Sequence, residues 1–108
     1  SWVFSPVWTV LYVLIAVAGW RVWTYRPGRG AMAVWWLQLG LNFLWSPVFF
    51  TLQSPGMALF VIVPLLVTIL AFIRLTWTAD RTSAVLFIPY AMWVSFASIL
   101  NLSIFILN

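Results

Sequence analysis

The sequence predicts an all-α integral membrane protein, a compact bundle of four transmembrane helices, and three observations predict it. Five arginines and Asp80 are the only charged residues, and all fall in two windows, Arg21 to Arg29 and Arg74 to Arg81. No water-soluble domain of 108 residues covers its surface with so few charges. The stretches Ser1 to Trp20, Ala31 to Ile73 and Thr82 to Asn108 are uncharged and continuously apolar, without the alternation of a membrane β-barrel strand. Turn-forming residues then cut these stretches into lengths that suit a hydrocarbon core, which takes about 20 helical residues to cross.

The first helix is expected at about 4–22, where the apolar run meets Arg21. The run from Ala31 to Ile73 is too long for one crossing, and Gln53-Ser54-Pro55-Gly56 interrupts it with turn chemistry. It divides into helices at about 32–52 and 57–76. The fourth helix spans about 83–106. All four form a single transmembrane domain covering 1–108. Short connections make neighbouring helices antiparallel, so an up-down bundle follows. Arg21, Arg26 and Arg29 then lie on the same side as Arg74 and Arg81, and the positive-inside rule makes that side cytoplasmic. The chain opens at Ser1 with neither a basic region nor a small-residue cleavage site ahead of its apolar run, and it reads as a piece of a longer sequence.

Composition removes most chemistry. With no His, Cys, Lys or Glu, the chain offers no ordinary zinc or iron site, thiol nucleophile, triad base or Schiff-base lysine. No metal site and no required cofactor are expected. Asp80 beside Arg81 reads as an ion-pairing residue at the membrane surface. The arginines are topology signals and head-group contacts, so membrane lipid is an expected partner and nucleic acid is not.

The informative residues are polar side chains at membrane depth and the aromatics beside them. Gln38 and Asn42 are spaced i, i+4, and Trp45 and Phe49 continue their face. On the fourth helix Trp93, Ala97 and Asn101 repeat the spacing, with Tyr90 a turn earlier. On the first, Trp8, Tyr12 and Ala16 do so, with Gly19 close by. Two readings stand side by side. Asn and Gln in membrane helices bond across helices, each contributing about 0.6–2 kcal/mol, so Gln38, Asn42 and Asn101 would clamp the bundle, and Asn42 could pair with Asn101. Alternatively the amides and rings line a pocket for a flat ligand. Of the nine tryptophans, Trp2, Trp20, Trp23, Trp35, Trp36 and Trp77 lie near helix ends and suit an interfacial belt. Trp8, Trp45 and Trp93 are the pocket candidates. Pro47, Pro64 and Pro89 bend or begin helices, and Ala91, Ser95 and Ser98 let helices approach closely.

Three blocks carry a resemblance. Trp2-Val3-Phe4-Ser5-Pro6-Val7-Trp8-Thr9-Val10-Leu11-Tyr12, then Gln38-Leu39-Gly40-Leu41-Asn42-Phe43-Leu44-Trp45-Ser46-Pro47, then Pro89-Tyr90-Ala91-Met92-Trp93-Val94-Ser95-Phe96-Ala97 with Leu100-Asn101 resemble, in order and spacing, the tryptophan-rich sensory protein/translocator protein family, also called peripheral-type benzodiazepine receptors. The resemblance implies a five-helix membrane bundle, usually a homodimer, with a ligand cavity in each protomer. This sequence would hold four of the five helices, the family's first being absent. It further implies a receptor for porphyrins or related haem-type tetrapyrroles in a bacterial membrane, with light-dependent oxidative degradation of the pigment linked to the tryptophans matching Trp8 and Trp93. Ala97 matches the family's pocket alanine and Leu100 its neighbouring leucine.

The expected ligand site is therefore Trp8, Tyr12, Gln38, Asn42, Trp45, Phe49, Trp93, Ala97, Leu100 and Asn101. Any photochemistry would belong to the bound pigment and oxygen, with Trp8 and Trp93 as electron donors. The alternative is a transporter or sensor of sterol-like or other hydrophobic small molecules. Departures from the family pattern weigh against sterol: Leu102 and Ile106 stand where the sterol-recognition pattern of animal members needs an aromatic and a basic residue. Val61 stands where many members have an acidic residue, and Phe105 where many have tryptophan.

Overall fold

The computed structural model describes residues 4–25, 30–46 and 55–107. They form four helices, α1 (Phe4–Tyr25), α2 (Ala31–Ser46), α3 (Pro55–Thr76) and α4 (Arg81–Leu107). Neighbours pack as α1 on α4, α4 on α3 and α3 on α2, while α1 and α2 meet only lightly. The polar bridges described below cross the diagonal from α2 to α4.

Helix ends depart from expectation for local reasons. A turn was expected over Gln53 to Gly56, yet Pro55 and Gly56 belong to the first turn of α3. Proline suits that position, since its φ is preset and its missing N–H would have had no helical partner. Gly30 precedes α2 with a φ of 85°, a left-handed conformation that favours glycine, and its carbonyl accepts from the Val34 N–H at 2.9 Å. The expected continuation of α2 to residue 52 lies outside the described residues.

α4 starts earlier than its apolar run because Asp80 caps it. The Ser83 hydroxyl donates to the Asp80 carboxylate at 2.6 Å, and Arg21 of α1 donates to the same carboxylate through Nε at 3.1 Å and Nη2 at 2.9 Å. A carboxylate at a helix N-terminus faces the positive end of the helix dipole. The partner of Asp80 is thus Arg21, across the bundle, while the neighbouring Arg81 lies over the Trp77 ring at 4.8 Å. Arg21 holds the Asp80 carboxyl below the usual carboxylate range, with the Ser83 bond adding to the effect and partial burial opposing it. Arg21 also lies over the Tyr25 ring at 5.0 Å, one turn on, which ties down the end of α1.

The bundle differs from a water-soluble one in its exterior, which is as apolar as its core. Leu11, Ile15, Ile62, Leu65, Ile69, Phe72, Phe87 and Val94 fill the core, but Gln38, Asn42, Thr76, Ser83 and Asn101 are buried with them. Large apolar side chains cover the outside, among them Val13, Val17, Phe60, Val67, Met92 and Ile99. Such a surface is stable only against hydrocarbon. Of the described helices, α1, α3 and α4 are long and apolar enough to cross a membrane. Pro64 and Pro89 sit inside α3 and α4, each removing a backbone donor. The Thr68 hydroxyl donates to the Pro64 carbonyl at 2.7 Å, drawing that turn of α3 toward a side-chain partner.

Candidate ligand site

The polar stripe of α2 is brought together with two tyrosines in one continuous chain. Tyr12 of α1 donates its hydroxyl hydrogen to Asn42 Oδ1 at 3.0 Å. Asn42 Nδ2 donates to the Tyr90 hydroxyl oxygen at 2.7 Å, and Tyr90 donates to Gln38 Oε1 at 2.8 Å. One turn along α2, Trp45 Nε1 donates to Asn101 Oδ1 on α4 at 3.2 Å. Asn42 and Asn101 are therefore each bonded to an aromatic side chain, not to one another as one reading of the sequence allowed. The amides clamp three helices. Each such bond in a membrane protein contributes about 0.6–2 kcal/mol.

The aromatic residues form a second chain beside the first. Phe43 contacts Tyr12 at 6.3 Å between ring centroids, Tyr12 contacts Trp8 at 5.6 Å, Trp8 meets Trp93 edge to face at 6.4 Å and 89°, and Trp93 contacts Phe96 at 5.8 Å. All these separations lie in the range of favourable ring pairs. Tyr12 belongs to both chains. The rings run from α2 through α1 to α4 and end at a cavity of about 540 Å³ on the outer side of the α1/α4 seam, lined by Val7, Val10, Leu11, Met92, Trp93 and Phe96. Its volume falls within the range of small-molecule sites. A second apolar cavity, of about 530 Å³, lies between Leu59, Phe60, Pro64 and Phe105 on α3 and α4.

The expected site residues thus separate into groups. Trp8, Tyr12 and Trp93 join the aromatic chain, and Gln38 and Asn42 the polar one. Trp45, Ala97 and Asn101 are buried core residues. Leu100 is 41% exposed on the outer side of α4. Phe49 lies outside the described residues.

The i, i+4, i+8 stripe on α4 divides because eight residues advance about 80° around a helix, whereas eleven advance only about 20°. Tyr90, Val94, Ala97 and Asn101 consequently share the buried face, and Trp93 sits on its flank. Tyr90, the hub of the polar chain, was left out of the expected site. Its eleven-residue separation from Asn101 is the signal that identifies it. Phe43 and Phe96, also missed, carry no polar marker in the sequence.

Trp35 departs from its expected interfacial role. Its indole donates to the Ile15 carbonyl of α1 at 2.9 Å and fills the notch left by Gly19, where any Cβ would overlap the ring. The room beside Gly19 is therefore taken by an indole, and Ala16 faces outward. Trp20, Trp23, Trp36 and Trp77 are exposed near the arginine-bearing end of the bundle.

Comparison with known proteins bears on the same residues. The family model described as the TspO/MBR family matches residues 1–107. A relative from Archaeoglobus fulgidus, "Tryptophan-rich protein TspO", is 38% identical over 110 residues, covering the whole of this chain and 71% of its own length. "Tryptophan-rich sensory protein" from Cereibacter sphaeroides is 36% identical, covering 99% of this chain and 68% of the relative. "Translocator protein" from Bos taurus is 33% identical over 93% of this chain and 62% of its own. With a match along nearly its entire length and an apolar helical bundle to accompany it, the chain belongs to the TspO/MBR family and is an integral membrane protein.

Proposed function

We propose that the protein is a membrane receptor for flat, hydrophobic small molecules, with porphyrins and related tetrapyrroles as the class that fits best. The observation that carries this reading is the unbroken run of rings from Phe43 through Tyr12, Trp8 and Trp93 to Phe96, ending at an apolar cavity. A tetrapyrrole is a broad aromatic plane that gains by stacking on such faces, and its low solubility in water favours delivery from the bilayer. Names given to relatives point to sensing in one case and translocation in another; either begins with capture of a ligand. Homodimer formation belongs to the same proposal. Gly40, on the outer face of α2 with open space where a Cβ would stand, leaves room for the approach of a second copy.

Titration of the detergent-solubilised protein with protoporphyrin, followed by tryptophan fluorescence, tests the receptor reading. Saturable quenching is expected, weakened about two- to tenfold by Trp93→Phe or Trp8→Phe, in line with about 0.5–1.5 kcal/mol per aromatic contact. Linear, unsaturable quenching would sink it.

Light-dependent oxidation of the bound pigment is a second reading, favoured by the edge-to-face contact of Trp8 and Trp93. In that reading the photoexcited pigment loses electrons to molecular oxygen, which is reduced, and the paired indoles hold the ring in place. Illumination in air separates the two readings. Bleaching of the bound pigment faster than of free pigment supports turnover, and an unchanged spectrum leaves binding alone.

A further inference from the structure

Charge at the arginine-bearing end of the bundle is unevenly neutralised. Asp80 is the only acidic side chain in the sequence, and its carboxylate is committed to Arg21 of α1 and to Ser83. None is left for Arg74 or Arg81. Arg74, in the last turn of α3, is exposed, and its guanidinium has no hydrogen bond or ion pair among the described residues. Arg81 is also exposed but is held from one side. Its Nε donates to the Trp77 carbonyl at 3.2 Å, and its guanidinium lies over the Trp77 ring at 4.8 Å. Those contacts fix the group while leaving its Nη atoms without a partner among the described residues. The Trp77 backbone N–H donates in turn to the Arg74 carbonyl at 3.4 Å. Both arginines are thus tied to one exposed tryptophan.

An apolar track leads away from this cluster. Val63, Val67, Leu70 and Arg74 follow one another at steps of four, three and four residues, so they share one face of α3, and all are exposed. Arg74 and Val63 are about 16 Å apart along the helix, close to half of a hydrocarbon core about 30 Å thick. A cationic end followed by an apolar track one leaflet deep has the dimensions of a phospholipid.

The sign of the headgroup follows from the missing acid. A phosphodiester matches the planar donors of a guanidinium. A zwitterionic headgroup also carries an ammonium group, which two arginines without a carboxylate repel, whereas a headgroup of net negative charge brings no such penalty.

We propose that Arg74, Trp77 and Arg81 form a binding site for an anionic phospholipid, with its phosphodiester on the two guanidiniums and an acyl chain along Leu70, Val67 and Val63. The site lies at the opposite end of the bundle from Trp8 and Trp93 and does not depend on the receptor reading.

Native mass spectrometry of the protein released from a neutral detergent tests it, with phosphatidylglycerol and phosphatidylcholine of identical acyl chains supplied at equal concentration. Wild type is expected to retain one phosphatidylglycerol per protomer, with about a tenfold preference over phosphatidylcholine. Arg74→Gln is expected to lose most of that preference. Arg81→Lys keeps the charge but gives up the planar fork and its stacking on Trp77, and Trp77→Leu removes the platform at unchanged charge; each is expected to bring the preference below about threefold. Arg21→Lys, which can still pair with Asp80, is expected to keep the wild-type preference.

The wild-type comparison stands whether or not a variant folds, and equal retention of the two lipids there overturns the proposal. So does a preference that survives in both Arg81→Lys and Trp77→Leu, the signature of diffuse charge, or one that falls as far in Arg21→Lys as in Arg81→Lys.

Discussion

Tyr90 has more hydrogen-bonding duty than any other aromatic residue described in the bundle core. It accepts from Asn42, donates to Gln38, and packs its ring edge to face on Phe87 at 5.3 Å. Tyr90→Phe keeps the packing and strands two amide atoms, so a loss of about 1–3 kcal/mol is expected in the unfolding free energy measured by titration with denaturing detergent. Gly19 acts by absence. Gly19→Ala would drive a methyl group into the Trp35 ring, and a loss of about 1–3 kcal/mol is expected. Trp35→Leu should cost less in the Gly19→Ala background than in wild type, and strict additivity of the two would refute the notch. The amides were legible as unusual residues, but their partners were not. Partner choice depends on which helices lie across the diagonal, and spacing along one helix carries no information about that.

Between elements, the Arg21–Asp80 pair ties the end of α1 to the start of α4. Both side chains retain some exposure, so the contribution is the small one of a solvent-screened pair. The folded pKa of Asp80 lies below its unfolded value. The pair therefore contributes fully above the unfolded value, about 3.9, and its contribution is lost as pH falls through the lower folded value. Melting temperature in detergent should consequently be insensitive to Asp80 between about pH 5 and 7 and decline below about pH 4. Asp80→Asn, which keeps a capping side chain, should be less stable than wild type at neutral pH and approach it in acid. An unchanged gap between the two across that range would exclude the ion pair as its cause. The helix positions were readable because charge and turn residues interrupt long apolar runs. The cap at Asp80 was not, because a carboxylate next in sequence to Arg81 gives no hint that its partner lies on another helix.

Across the whole molecule, the arginine-bearing end and the Trp8/Trp93 half are at opposite ends of antiparallel helices. By the positive-inside rule the arginine end is expected on the cytoplasmic side. The chain lacks cysteine, so single Thr78→Cys and Gln53→Cys variants give clean labelling sites. A membrane-impermeant maleimide added to intact cells is expected to modify the residue 53 variant and to reach the residue 78 variant only after permeabilisation. The reverse pattern would invert the topology. The site was legible in its chemistry, aromatic rings with neutral amides, but not in its layout. The amides proved to be joined to tyrosines in the core, while Trp93 turned outward to a cavity between α1 and α4.

What the sequence by itself determined is the solvent. Continuous apolar runs, with five arginines and one aspartate confined to two short windows, can be satisfied only by hydrocarbon, and the spacing of breaks in those runs limits the number of crossings. What only the tertiary structure decided is which polar group remains available. Helical spacing places Gln38, Asn42 and Trp45 on one face, but it cannot say that Asn42 and Trp45 find partners on other helices while one nitrogen of Gln38 has none among the described residues. Hydrogen-bond satisfaction belongs to pairs of atoms from different helices, and such pairs exist only once the helices have packed.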